Sequence, residues 1–168
     1  FPVSAILGIL AVVIAAVGGI LWGSLTALYR NHLPDYIIMF LVILGISVPS
    51  FVVAALSQLG IVTINSLLGR TFLPVAGWGT ISHMLVPALV LGLTTMAYLT
   101  RLMRSSMLEI VNSDFVRTAK SKGVPPARIF ARHQLRNAVL PVITVLGPSI
   151  AAITTGGFVV EIVFAIPG

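Results

Sequence analysis

The sequence predicts an all-α integral membrane protein with four transmembrane helices, and three observations carry that reading. Hydrophobic residues make up 58% of the 168 and charged residues only 8%, with a mean hydropathy of +1.11. Soluble domains typically hold about a quarter charged residues, and a chain this short has too little interior to hide so much apolar surface. Four runs, 1–29, 36–69, 71–100 and 137–160, contain no Asp, Glu, Lys or Arg. Each exceeds the roughly 20 residues that a helix needs to cross about 30 Å of hydrocarbon. Eight of the ten basic residues fall between Arg101 and Arg136, the asymmetry expected of a loop held on the cytosolic side. A cleavable leader explains none of the runs, since each is too long for one.

The first span is expected over about 2–29. Ala11, Ala15, Gly19, Gly23 and Ala27 recur every four residues, lining one face with small side chains that let another helix approach closely; Gly8 is placed off that stripe. A turn, "YRNHLPDY" (29–36), carries Arg30, His32 and Asp35, with Pro34 positioned to start the next helix. The second span, about 34–59, contains "GISVPSF" at 45–51. Pro49 removes a backbone hydrogen bond there and predicts a kink or local unwinding. Because exposed backbone at membrane depth is tolerated only under protein or beside a watery cavity, Ser47, Pro49 and Ser50 are candidates for a pathway lining, although a plain structural kink is the favoured reading of the three. Residues 60–83 are semi-polar, and Trp78 suits an interface. The third span, about 84–104, opens near Pro87 and closes on Arg101 and Arg104, and the fourth covers about 138–160. Alternation from a cytosolic basic loop puts 30–35 inside, and 60–83 and the C-terminal "EIVFAIPG" outside. Glu161, near that outer surface, is either interfacial or faces the pathway, where it would meet a cationic group.

Between the last two spans lies a loop, 105–137, whose centre is "SDFVRTAKSKGVPPARIFARHQLRNAVLP" (113–141). Ser113 is placed to cap a short helix, with Asp114 favourable in its first turn. Gly123 fits the left-handed position that ends such a helix, and Pro126 can begin another. Two short helices meeting at a glycine elbow are therefore expected, with Ile129 and Phe130 as apolar contacts and Arg128, Arg132 and Arg136 as a basic stripe. Glu109 and Asp114 are expected to pair with this basic loop.

Several chemistries are excluded or disfavoured. No G-x-x-x-x-G-K-[ST] occurs, so the chain has no P-loop for ATP. His32, His83 and His133 lie far apart in sequence without metal-ligand spacing, and zero Cys rules out thiolate sites and disulfides. The net charge of +6 reads as topology-setting charge rather than a nucleic-acid footprint.

In the loop, Ala119 followed four residues later by Gly123, within "RTAKSKG…RHQLRNAVLP", resembles the cytosolic loop of membrane subunits of ABC importers. Arg117, Thr118, Ala119, Lys122, Gly123, Arg132, His133, Leu135, Asn137, Ala138, Leu140 and Pro141 stand in the register of the peptide-transporting branch. "GISVPSF", "LPVAGWG" and "VVEIVFAIPG" are similar to that branch too. Arg136, where many members have Pro, resembles the first of the two permeases in dipeptide and oligopeptide importers. The resemblance implies a type I ABC importer permease fold, here a fragment without its first and last helices. It implies no catalysis by this chain, with ATP and Mg in separate ATPase subunits. It also implies a second permease subunit, two ATPases, an extracytoplasmic substrate-binding protein and a peptide substrate, in a bacterial-type plasma membrane. Arg117, Thr118, Ala119, Lys122, Gly123, Val124, Ile129 and Phe130 would form the coupling region docked on an ATPase. Two alternatives remain: a nickel-importer permease of the same family, or a membrane-anchored scaffold whose basic loop binds anionic lipid or nucleic acid.

The charge asymmetry predicts sidedness. In intact membranes, single cysteines at Ser121 and Thr80 should react with impermeant reagents from opposite sides, Ser121→Cys only from the cytosol. Labelling of Ser121→Cys from outside reverses the orientation.

Overall fold

The structure is a computed structural model that describes residues 2–168, with side chains at all of these except 154–156. Its helices are α1 (Pro2–Leu28), α2 (Leu33–Ser47), α3 (Ser50–Leu68), α4 (Ile81–Val111), α5 (Asp114–Ser121), α6 (Pro126–Arg128), a π-helical turn (Ile129–Leu135), α7 (Arg136–Gly156) and α8 (Phe158–Val163). Among the described residues, four stretches are long and apolar enough to cross a membrane: Pro2–Leu28, Ser50–Leu68, Ile81–Val111 and Pro126–Ile153.

α1 and α4 form the largest contact, and they run parallel. A Cβ placed on Gly92 would sit 2.6 Å from the Ala11 carbonyl oxygen. One on Gly19 would meet Leu99 Cβ at 2.5 Å, and one on Gly23 the Thr100 carbonyl oxygen at 2.6 Å. The partners advance together along both helices, and only glycine permits backbones this close. Gly8 is also buried, contrary to its expected place off the stripe. It lies three residues before Ala11, so the two share a helix face.

Parallel α1 and α4 require a single crossing between them, and α2 and α3 share it. Asp35 meets Arg104, Gly45 sits against Leu93 and Ala97, and Ala54 packs in one cluster with Leu7, Ala88 and Val90. The second span is thus two helices broken at Val48–Pro49, not one helix over 34–59. Val48 takes φ −91°, ψ 125° and Pro49 φ −58°, ψ 141°, because the residue before proline is driven out of the helical region. α7 returns antiparallel: Ala138 and Val142 pack with Ala27 and Met103, and Ile153 with Leu7 and Ala11 at the other end.

The third span begins earlier than 84 and ends well beyond 104. Pro87 lies inside α4, where it forfeits one hydrogen bond without ending the helix. Residues 105–111, expected in the loop, are its last two turns. The fourth span divides at Gly157 into α7 and α8. Around α8, Gln58 of α3 donates to the carbonyls of Val163 (2.7 Å) and Val75 (3.3 Å), and Gly77 N–H to that of Phe164 (2.9 Å). Trp78 packs against this end's apolar cluster.

The ion pair among the described residues is Asp35–Arg104. Arg104 Nε and Nη2 donate to Asp35 Oδ1 and Oδ2 at 2.9 and 2.8 Å, a two-pronged geometry specific to arginine. Oδ2 also accepts from Asn31 N–H at 3.0 Å, where the chain turns through φ +62°. One carboxylate therefore ties the α1–α2 turn to α4. Glu109 and Asp114 are both exposed and take no part in this pairing.

Two outcomes are expected. Gly92→Ala should destabilise the bundle, although alanine favours a helix by about 1 kcal/mol over glycine, because the α1 backbone occupies the methyl's place. Gly60→Ala, with nothing within 4 Å, should be neutral or stabilising. Thermal denaturation of both variants compares them, and equal stability would remove the close α1–α4 contact. Asp35→Asn should cost about 1.5–3 kcal/mol, the range for hydrogen bonds to charged groups. Its effect should be non-additive with Arg104→Gln in a double-mutant cycle; strict additivity would show that the pair contributes nothing.

Candidate functional site

The basic end of the bundle carries a compact helical platform. α5 starts directly after α4, and Ser113 holds the N-cap position with extended backbone. Its hydroxyl does not cap α5, however: it donates back to the Ile110 carbonyl at 2.6 Å, tightening the α4–α5 turn. At the other end Gly123 has φ +72°, the left-handed conformation expected from the sequence. Its N–H donates to the Lys120 carbonyl (2.9 Å), and Val124 N–H to that of Ala119 (3.2 Å), a paired closure typical of helices ended by glycine.

α5 is amphipathic and rests on its own small core. Val116, Ala119 and Ile129 are buried together, with Ile110 and Val124 packed around them. This bed joins the end of α4, all of α5 and the start of the π-helical turn. Ala119 is 8% exposed, so it faces the bed and not the outer surface, as its spacing of three from Val116 requires. Arg117, Thr118, Lys122 and Gly123 lie outward, Val124 and Phe130 are half-buried, and Ile129 is buried. Phe130 packs into the larger cluster beneath, with Met103 and Ala138.

One outward residue escaped the sequence reading. Phe115 is 46% exposed, an aromatic ring on a helix that also exposes Asp114, Arg117 and Thr118. The available signal was a second large apolar residue beside Val116 in a helix too short to bury both. The second expected helix is also different in kind: Ile129–Leu135 is π-helical, with α6 before it and α7 after it. Asn137 Nδ2 donates to the His133 carbonyl at 2.6 Å as the turn passes into α7. Such wide turns are often found at functional sites. Arg128, Arg132 and Arg136 all remain exposed.

The pathway candidates do not converge. Ser47, Pro49 and Ser50 are exposed at the α2–α3 break. A cavity of about 620 Å³ beside that break is lined instead mainly by apolar groups, among them Trp22, Val48, Val53, Leu56 and Met96, with Ser57 and Thr100 as its polar members. Glu161 is buried at 8% exposure in α8, with its carboxylate beside Gly157.

The chain matches the family described as "Binding-protein-dependent transport system inner membrane component" over residues 19–168. It is 47% identical over 168 residues to the dipeptide transport system permease protein DppB of Bacillus subtilis, covering all of this chain and 53% of that protein. It is 45% identical over 170 residues to the oligopeptide transport system permease protein OppB of Haemophilus influenzae, covering all of this chain and 54% of that one. With DppB of Lactococcus lactis the identity is 39% over 167 residues, 99% of this chain and 54% of the relative. The chain spans about half the length of the curated relatives it matches. A family match across most of the chain, with an all-helical bundle and four membrane-length stretches, makes this chain a member of the family of inner-membrane components of binding-protein-dependent transport systems.

Proposed function

We propose that the chain is part of the membrane-embedded region of a permease subunit that moves dipeptides or oligopeptides into the cell. The relatives named for dipeptide and oligopeptide transport support the substrate class. A second permease would complete the pathway, a substrate-binding protein would deliver peptide from outside, and separate ATPase subunits would bind ATP and Mg at the cytosolic face. The basic loop's charge supports that orientation.

The single observation that carries the coupling role is α5 seated on its bed. A short helix and its C-cap present Phe115, Arg117, Thr118 and Lys122 outward while Val116, Ala119 and Ile129 fix the underside. An ATPase gripping that outer face would move α5 together with α4 and the π-helical turn. Closing and opening of the ATPases would then reach the bundle as rigid-body motion and drive alternating access. Ala119, on the underside, serves as a spacer that lets α5 sit down; Ala119→Arg would lift α5 off its bed.

The test uses two variants of the full-length permease with its ATPases. A Cβ at Gly123 meets no neighbour within 4 Å, so the main penalty of Gly123→Val is the left-handed backbone, about 1–2 kcal/mol. It should assemble with the second permease, yet re-aim α5 and lose substrate-stimulated ATP turnover. Phe115→Ala should leave the fold intact and weaken ATPase association in pull-downs. That association should resist moderate salt in the parent protein, unlike a purely electrostatic contact. Near-normal coupled transport in both variants would reduce the loop to a charged anchor.

A further inference from the structure

The coupling reading leaves one basic notch unused. Arg132, His133, Arg136, Asn137 and Leu140 line an open cavity of about 440 Å³ where the π-helical turn passes into α7. No Asp or Glu occurs in sequence between Asp114 and Glu161. The ion pair among the described residues is elsewhere, at Asp35–Arg104. Arg132 and Arg136 are both exposed, so two guanidinium groups converge on the notch with no carboxylate among the described residues to neutralise them. One Asn137 amide hydrogen is committed to the His133 carbonyl, which leaves its second amide hydrogen, the two arginines and the imidazole as the donors available there.

Depth decides what such a notch meets. Residues 137–160 carry no charge, so Arg136 stands at the last position before hydrocarbon, level with lipid headgroups. Below it the same side of α7 is apolar and open: Leu140 and Ile143 are 59% and 56% exposed, and nothing lies within 4 Å of a Cβ built at Gly147. Cations above an apolar strip suit an amphiphile. An acidic protein surface would match the arginines and leave the strip uncovered.

We propose that this notch binds the phosphodiester headgroup of one anionic phospholipid, whose acyl chain lies along Leu140 and Ile143. Each guanidinium fork can hold two phosphate oxygens, which a lysine ammonium cannot do. The site needs α7 to span the membrane with its Leu140 and Ile143 side facing lipid in the assembled transporter, and it stands or falls separately from ATPase docking.

The test uses the full-length permease assembled with its ATPases, in nanodiscs mixing phosphatidylglycerol and phosphatidylcholine. Native mass spectrometry then counts the lipid retained on release. The parent should hold about one phosphatidylglycerol per chain in preference to phosphatidylcholine. Each guanidinium–phosphate contact is a hydrogen bond to a charged group contributing about 1.5 kcal/mol, roughly tenfold, so Arg132→Gln/Arg136→Gln should bind about 100-fold more weakly. Arg128→Gln removes a charge from the same segment outside the notch and should leave retention unchanged. Equal loss in Arg128→Gln would mean diffuse surface charge, and equal retention of the two lipids would mean no headgroup recognition. Displacement of phosphatidylglycerol by millimolar inorganic phosphate would make this a free-anion site. Any of these three results overturns the proposal.

Discussion

The parallel contact between α1 and α4 is the constraint on which the rest of the structure depends. Lipid supplies no hydrophobic drive between helices, so association rests on how closely backbones can approach. Gly19, Gly23 and Gly92 supply that approach. Because both helices point the same way, everything from Leu33 to Leu68 must make one net crossing. That sequence is longer than one crossing needs, and the break at Val48–Pro49 lets α2 follow α4 while α3 tilts to meet α8. Asp35 secures the turn that starts this return, by holding Arg104 near the end of α4's crossing.

The same geometry makes the basic end stiff. α4 does not stop at its last arginine but continues to Val111, so the chain leaves the bundle as helix. Ser113 folds it back, the closure at Gly123 fixes the far end of α5, and Ile110, Val116 and Ile129 fill the space between. No long flexible connection separates α5 from the bundle at either end. On the proposed reading, that stiffness matters more than the loop's charge, because a slack loop would absorb motion imposed on it.

Much of the architecture was legible in the sequence, for physical reasons that also mark the limits. Uncharged runs locate membrane crossings because the cost of a buried charge is large, and the glycine elbow follows from a conformation that other residues resist. Pro49 announced an interruption, but hydropathy cannot tell a bend from a full break, since both halves are equally apolar. Helix ends at Ile81 and Val111 were missed because helices continue past the membrane surface, where composition changes and backbone need not. The pairing of Asp35 with Arg104 joins residues 69 apart in sequence, and nothing local signals it. Ala119 was legible as small but not as inward-facing, and Phe115 became visible only once Val116 had taken the buried side. The π-helical turn has no periodicity that distinguishes it from an ordinary helix over so few residues.

The central claim is that α5 moves as one body with the bundle. Its most direct test is a pair of spin-label distance measurements on the assembled transporter, with and without bound nucleotide. One distance runs within the subunit, from Ser121 on α5 to Arg101 on α4, both exposed. The other runs from Ser121 to the matching position of the proposed second permease. The account predicts that the first distribution stays narrow and unchanged while the second shifts with nucleotide. A first distance that broadens or changes while the bundle keeps its separation would contradict it, because α5 would then be a tether and not a lever.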